Sequence, residues 1–274
     1  MLGLLFGDII LKAGETMQIQ KVLQAARPYL AGKTVKDVVI GLSLIGVELD
    51  CGHLGISYVL RENLKAGCSI FPFGRQIIGK NAEEIAEWAV NGVDDVQRSV
   101  GIAVICAASH NLELKDANTP QTPFGVQVRE SDTIGMIGFI PPVAKMLGPK
   151  AKDMIIFDMG ITLMGGMKGQ VCPMEKQPEL LPKCDIVVLS GTTLINGTFD
   201  ELLQMCPNSR EIMVIGSSTP MFPEAFKGSG VTVLAGSWWK REYKEELFKL
   251  ISLAAGMDAL GQYSIKKSPR IEVE

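Results

Sequence analysis

The chain of 274 residues is most informative at first for what it lacks. Its six cysteines (51, 68, 106, 172, 184 and 206) include no Cys-x-x-Cys pair, so neither a zinc ribbon nor a dithiol redox motif is present. Histidine occurs twice, at 53 and 110. Ser190 has no nucleophile-elbow pattern around it and no evident histidine partner, which argues against serine hydrolase chemistry. The net charge of −3 is spread over interspersed signs, and no basic patch carries interleaved aromatics, so nucleic-acid binding is not expected. No apolar run approaches the ~18 residues of a membrane span. The apolar start, Met1 to Ile10, carries Asp8 and lacks a basic flank, and reads as the beginning of a helix and not as a signal peptide. No repeat or low-complexity tract interrupts the chain.

What remains describes a well-packed protein. Hydrophobic residues make up 47% and charged residues 21%, enough for one large domain or two modest ones. Cys106 and Cys184 lie inside apolar runs and read as buried thiols, so a reducing cytoplasm is the expected compartment.

The periodicity changes part-way. Residues 3–31 are patterned as helix, with Gly14 as a bend and Pro28 and Gly32 marking the end. Three short β-rich runs follow, at 35–42, 46–50 and 55–60, with no helix between them, which predicts an antiparallel meander. After an irregular stretch at 61–80, Asn81 and Glu84 form a capping-box pattern that opens a helix, and a second helix is expected over 94–110. Residues 111–131 are polar, hold two prolines and read as a linker, dividing the chain into 1–118 and 119–274. Beyond it strands alternate with helices. Strands are expected at 133–138, 154–158, 186–189, 212–215 and 231–234. Helices are expected at 141–147, 196–206, 223–227 and 240–255, and an edge strand within 263–273. Such alternation predicts a mostly parallel, Rossmann-like sheet.

In a parallel sheet the carboxyl ends of the strands share one edge, and open α/β sheets bind ligands there. Four such ends carry ligand-type residues: Gly138-Phe139-Ile140-Pro141; Asp158; Ser190-Gly191-Thr192-Thr193 with Asn196; and Gly216-Ser217-Ser218-Thr219. Gly135-Met-Ile-Gly138 falls short of the G-x-G-x-x-G fingerprint, which weakens a dinucleotide reading. Asp158, 20 residues after Gly138, stands where an acidic residue commonly holds ribose hydroxyls. Turn and cap chemistry accounts for the same Ser, Thr and Asn residues one at a time. Cys51 and His53, with Glu48 and Asp50 just before them, are the most metal-like pair, although two ligands do not close a site. The plainer account of that pair is a hairpin turn with a buried thiol. Cys106 and His110 share a helix face, most simply as a packed thiol and a helix-end histidine. Glu48, Asp50 and Asp158 could supply acid–base carboxylates, but nothing in the sequence makes them adjacent. Trp238-Trp239 could wall a pocket or a subunit interface, or simply pack in the core.

The order of these features resembles the two-domain "putative heavy-metal chelation" family. The similar stretches are Gly55-Ile-Ser-Tyr-Val-Leu, Ser99-Val-Gly-Ile-Ala-Val, Ile134-Gly-Met-Ile-Gly-Phe-Ile-Pro-Pro, Val214-Ile-Gly-Ser-Ser-Thr-Pro and, most specifically, residues 181–198. The resemblance implies an N-terminal α+β domain like the small domain of enolase, a C-terminal Rossmann-like α/β domain and a site in the cleft between them. One departure stands out: the family's Ala-x-x-Asn-Ala is Ala103-Val-Ile-Cys106-Ala107 here.

The resulting expectation is a protein that binds a small polar or anionic molecule, or a metal complex, in an interdomain cleft. The turns 138–141, 190–198 and 216–220 would provide contacts, and residues 48–58 with 61–80 would form the lid. Heavy-metal chelation would involve Cys51 and His53, and the bound cofactor is then a heavy or transition metal ion or a nucleotide-type ligand. The alternatives are a transferase using a nucleotide or S-adenosylmethionine, and an assembly module without ligand. The apolar composition is compatible with a homodimer.

Overall fold

A computed structural model describes residues 16–61, 64, 69–160 and 171–272. The first part of the helical stretch expected over 3–31, with the bend at Gly14, lies outside these residues. Helix α1 spans Gln18–Leu30 and buries Val22, Leu23, Ala26 and Leu30. Pro28 lies inside it instead of marking its end. Burial of Leu30 carries the helix past the proline, and Gly32, at φ +71°, turns the chain out of it.

The meander forms as expected. Strands β1 (Val35–Ile40), β2 (Leu44–Leu49) and β3 (Leu54–Tyr58) pair antiparallel in the order β1-β2-β3. Two short helices, α2 (Ala82–Ala86) and α3 (Trp88–Asn91), lead to α4 (Asp95–Ala108). Asn81 caps α2 through the Glu83 N–H, and Asp94 caps α4 through the Gln97 N–H. Nearly every residue of α4 is buried. It can come this close to β3 because Gly55 has no side chain: a Cβ there would collide with the Ala103 carbonyl oxygen.

The second half contains a six-stranded sheet in the order β5-β4-β6-β7-β8-β9. Its strands are β4 (Thr133–Ile137), β5 (Asp153–Phe157), β6 (Ile186–Ser190), β7 (Glu211–Ile215), β8 (Val233–Trp239) and β9 (Ser264–Lys267). The first five are parallel, and β9 joins antiparallel. Strand β8 continues five residues past the expected end at Leu234, because Gly236 to Trp239 pair with β9. Helix α5 (Pro141–Leu147) follows β4. The helix expected at 196–206 is shorter: Gly191–Leu194 forms a 3-10 turn and α6 spans only Phe199–Gln204. A 3-10 turn at Pro223–Phe226 replaces the short helix expected there, and Arg241–Tyr243 precedes α7 (Lys244–Ser252) as another.

The two halves share their cores. One face of the large sheet packs on α5 through Met136, Val143 and Val188. Its other face, with Val187 and Leu189, joins Phe199 of α6 in a core that continues around α1 and α4. The face of the small sheet away from α4 is covered by the second half, with Leu44, Leu54 and Ile56 packed against Trp239, Leu247, Phe248 and Ile251.

Candidate functional site

After β4 the chain turns to β5 on one side, then crosses to β6 on the other, so the strand order reverses between β4 and β6. The turns after these two strands diverge, and the gap between them is where an open α/β sheet accepts a ligand. The sequence-selected turns meet at this edge. Gly138, at φ +80°, lies against Ser190, close enough that a Cβ would stand 3.2 Å from the Ser190 Cβ. The Phe139 N–H donates to Asp158 Oδ2 at 2.7 Å, joining the turns after β4 and β5. Gly191 abuts the Ser218–Thr219 backbone, 2.7–2.8 Å from where its Cβ would be.

Helix α4 lies along the same edge. Arg98 Nε donates to the Ile195 carbonyl at 2.7 Å, Cys106 Sγ approaches the Ser217 carbonyl at 3.8 Å, and Ser109 Oγ accepts from Trp238 Nε1 at 3.1 Å. These contacts visit the ends of β6, β7 and β8 in turn. The Tyr58 N–H donates to Ser218 Oγ at 2.8 Å and seats β3 beside it. The first half therefore roofs the strand-end edge along β6, β7 and β8. Cys106 stands in this roof as a neutral thiol whose proton affinity is raised by burial.

The selected residues consequently divide. Gly138, Phe139, Asp158, Ser190, Thr192, Gly216 and Ser217 are half-buried, and Pro141 and Asn196 are exposed. Gly191, Thr193, Ser218 and Thr219 are buried in the junction. Several hydroxyls and amides serve the turns themselves: Ser190 Oγ accepts from Thr192 Oγ1 at 2.8 Å, Thr193 Oγ1 donates to the Ser190 carbonyl at 2.7 Å, and Asn196 Oδ1 accepts from Thr198 Oγ1 at 2.8 Å. The Thr219 hydroxyl is buried without a partner.

The candidate acid–base carboxylates are dispersed. Glu48 pairs with Lys36 at 2.8 Å, Asp50 accepts from the Thr34 N–H and hydroxyl, and Asp158 holds the turn after β4. Two open recesses of about 380 and 310 Å³ also lie away from the strand-end edge. The larger contains Lys36, Asp37, Glu48 and Lys244, and the smaller contains Arg27 and Glu87. Several of these charges pair with one another, with Lys244 at 2.6 Å from Asp37 and Arg27 at 2.9 Å from Glu87.

Residues 122–269 match the DUF364 family, described as "Putative heavy-metal chelation", and residues 23–109 match DUF4213, which has the same description. The chain belongs to this family. An uncharacterised protein of Methanocaldococcus jannaschii is 34% identical over 162 residues, 58% of this chain and 61% of that protein. The match thus spans about three fifths of that relative's length. Two crystal structures of DUF364 proteins of unknown function share the fold. The one from Pyrococcus horikoshii has a TM-score of 0.75 at 23% identity and covers 93% of this chain and 100% of its own. The one from Desulfitobacterium hafniense has a TM-score of 0.70 at 18% identity and covers 92% and 98%. At these identities the likeness establishes the mixed α/β fold, a small antiparallel sheet beside a mostly parallel six-stranded one.

The family description invites a test of this member's metal donors. Cys51 is exposed, contrary to the buried thiol expected in that turn. His53 faces His110, not Cys51 alone: the rings stack at 5.1 Å, and Trp238 lies over His110 at 5.5 Å. His110 Nε2 accepts from the Trp239 N–H at 3.2 Å, and the Leu54 backbone also hydrogen-bonds the ring. Burial, then the neighbouring His53, hold its pKa down at about 4, the reverse of what a helix-end cation would show. Burial and the nearby Lys33 and Arg241 lower His53 too, and those cations oppose an incoming metal ion. No cluster of three or more His, Cys, Asp or Glu residues suited to a metal occurs among the described residues. These donors do not fit a closed soft-metal site. No helix among the described residues is long and apolar enough to cross a membrane.

The histidine stack and the Arg98 tie escaped the sequence reading. Both join positions far apart in the chain, and only the small-residue pattern of α4 signalled close packing there.

Proposed function

We propose that this family member binds a small polar or anionic molecule, free or carrying a metal, in the crevice between the ends of β4 and β6 beside the first half. The observation that supports this most is the joining of three turns at a strand-order reversal, through Gly138 against Ser190 and Phe139 bound to Asp158. Hydroxyls of Ser190, Thr192 and Ser217 supply polar contacts, and Tyr58 and Cys106 bring the first half to its rim. Metal handling is the use suggested by the family description.

The competing reading, a nucleotide- or S-adenosylmethionine-dependent transferase, draws on Asp158 at the end of β5. That carboxylate already holds the Phe139 N–H, which favours a positioning role.

A thermal-shift screen tests the site. A ligand at about 100 times its Kd adds ~2.7 kcal/mol of stability. Substituting Thr192→Val together with Asn196→Ala should weaken any ligand found; unchanged affinity would reduce this turn to a helix cap.

A further inference from the structure

We infer that the crevice takes an organic ligand with a flat apolar portion next to its polar or anionic groups, and that a metal handled by this chain arrives already coordinated by that ligand. This rests on the crevice reading above and specifies its ligand.

The first observation concerns the chain's own soft donors. A heavy-metal ion is captured by deprotonated thiols and neutral imidazoles that converge on one point. Here Cys184, just before β6, and Cys206, just after α6, are buried, and their Sγ atoms point at the backbone carbonyls of Leu180 (3.4 Å) and Leu202 (3.0 Å). Cys106 is buried against the Ser217 carbonyl. The imidazole of His110 is committed at Nε2 to Trp239 and is stacked between His53 and Trp238. The buried carboxylates Glu48 and Asp132 are closed by Lys36 and Arg210. Each of these groups already has a structural task; Cys51 is exposed and Cys172 half-buried, and no three His, Cys, Asp or Glu among the described residues form a group that could hold a metal ion.

The second observation concerns the crevice itself. Its β4–β5 side presents Phe139 and Ile140, both half-buried, and Met159, 45% exposed, beside the Asp158 carboxylate that holds the Phe139 N–H. The β6–β7 side carries the hydroxyls of Ser190, Thr192 and Ser217. Gly138 sits between the two sides, and its positive φ of +80° with Ser190 at its back excludes a side chain there. Apolar side chains on one side of this glycine and hydroxyls on the other suit a flat ring that carries hydrogen-bonding substituents. They provide a bare ion with little coordination.

The test uses full-length protein purified without a histidine tag. Zinc, cadmium and reduced copper ions are offered alone by equilibrium dialysis with metal analysis. Dipicolinate, its 1:1 zinc complex, ADP and S-adenosylmethionine are offered in thermal-shift and calorimetric titrations. The expected result is saturable 1:1 binding of at least one organic probe, weakened about tenfold or more by Phe139→Ala, largely kept by Phe139→Leu and weakened by Thr192→Val. The bare ions should show no stoichiometric binding. One bare ion per chain at a Kd of ~1 µM or tighter, lost in Cys51→Ser or His53→Gln, would overturn the inference and leave the crevice reading standing. An organic probe that binds equally well to Phe139→Ala and Thr192→Val would overturn the crevice reading itself. A panel without any binder would overturn the ligand class.

Discussion

His53 and His110, the only histidines in the chain, stack on each other at the junction of its two halves, with ring centroids 5.1 Å apart and planes 22° from parallel. Burial first, and His53 second, depress the His110 pKa to about 4, while the Leu54 backbone hydrogen bond works against them. The unfolded chain therefore takes up a proton near pH 6.5 that the folded chain refuses until about pH 4. Stability is complete above that range and is lost as pH falls through it, at up to ~1.4 kcal/mol per pH unit. Urea unfolding between pH 7 and 4.5 should show this slope in the wild type and a flatter one in His110→Gln, whose amide can still accept from Trp239. Equal slopes would place the acid sensitivity elsewhere.

Asp132 should control a separate and more acidic step. Its buried carboxylate receives two bonds from Arg210, at 2.7 and 3.1 Å, and one from the Arg129 N–H at 2.8 Å. The Arg210 hydrogen bond lowers its pKa most, so its stabilisation is present above the usual carboxylate range and is lost as pH falls below it. Asp132 precedes β4 and Arg210 precedes β7, at the amino ends of the strands, opposite the crevice. Asp132→Asn should cost about 3 kcal/mol in urea unfolding and leave the affinity of any crevice ligand unchanged. A matching loss of affinity would mean that the two edges are coupled.

How much of this was legible in the sequence depended on the range of the interaction. Ile186 to Leu189 could be read as a buried parallel strand because both faces are apolar and its boundaries are local. The convergence of Gly138, Asp158, Ser190 and Gly216 followed from alternation alone, since parallel strands end on one edge. The extension of β8 to Trp239 depends on β9, more than twenty residues further on, and leaves no local period to read. The stacking of His53 on His110 and the bond from Arg98 to Ile195 join positions 57 and 97 residues apart. Helix α6 starts later than expected because Gly197 takes a positive φ of 76° and Asn196 bonds Thr198 in a local turn ahead of it.

Gly55 should tolerate no side chain. A Cβ there would strike the Ala103 carbonyl oxygen and stand 2.6 Å from the Ala107 nitrogen, both backbone atoms of a helix that cannot rotate away. Gly55→Ala is expected to cost about 3 kcal/mol or more by forcing α4 off β3. Gly74→Ala, with nothing within 4 Å of its added methyl, serves as the control and should stay within ~0.5 kcal/mol. Similar losses in both would show that α4 adjusts freely. Because α4 also touches the ends of β6 and β7, ligand binding should weaken along with stability in Gly55→Ala.

The shared core also bears on whether residues 1–118 can stand alone. The small sheet has α4 on one face, while Leu44, Leu54 and Ile56 on the other are covered by Leu247, Phe248 and Ile251 of α7. Gly41 lies directly against the Ile251 carbonyl, so the two surfaces meet at backbone distance. Severed from α7, a three-stranded sheet would expose this apolar face to water, at a cost of ~25 cal/mol for each Å² uncovered. The fragment 1–118 is therefore expected to lack a cooperative unfolding transition and to bind a hydrophobic dye. In the full chain, Ile251→Ala should cost about 3 kcal/mol and lower the stability of both halves in a single transition. Fluorescence would follow it, with Trp88 retained as the first-half reporter and Trp238 and Trp239 as the second-half reporters in separate variants. A fragment that melts cooperatively near the temperature of the whole protein would show that the first half covers its sheet without α7.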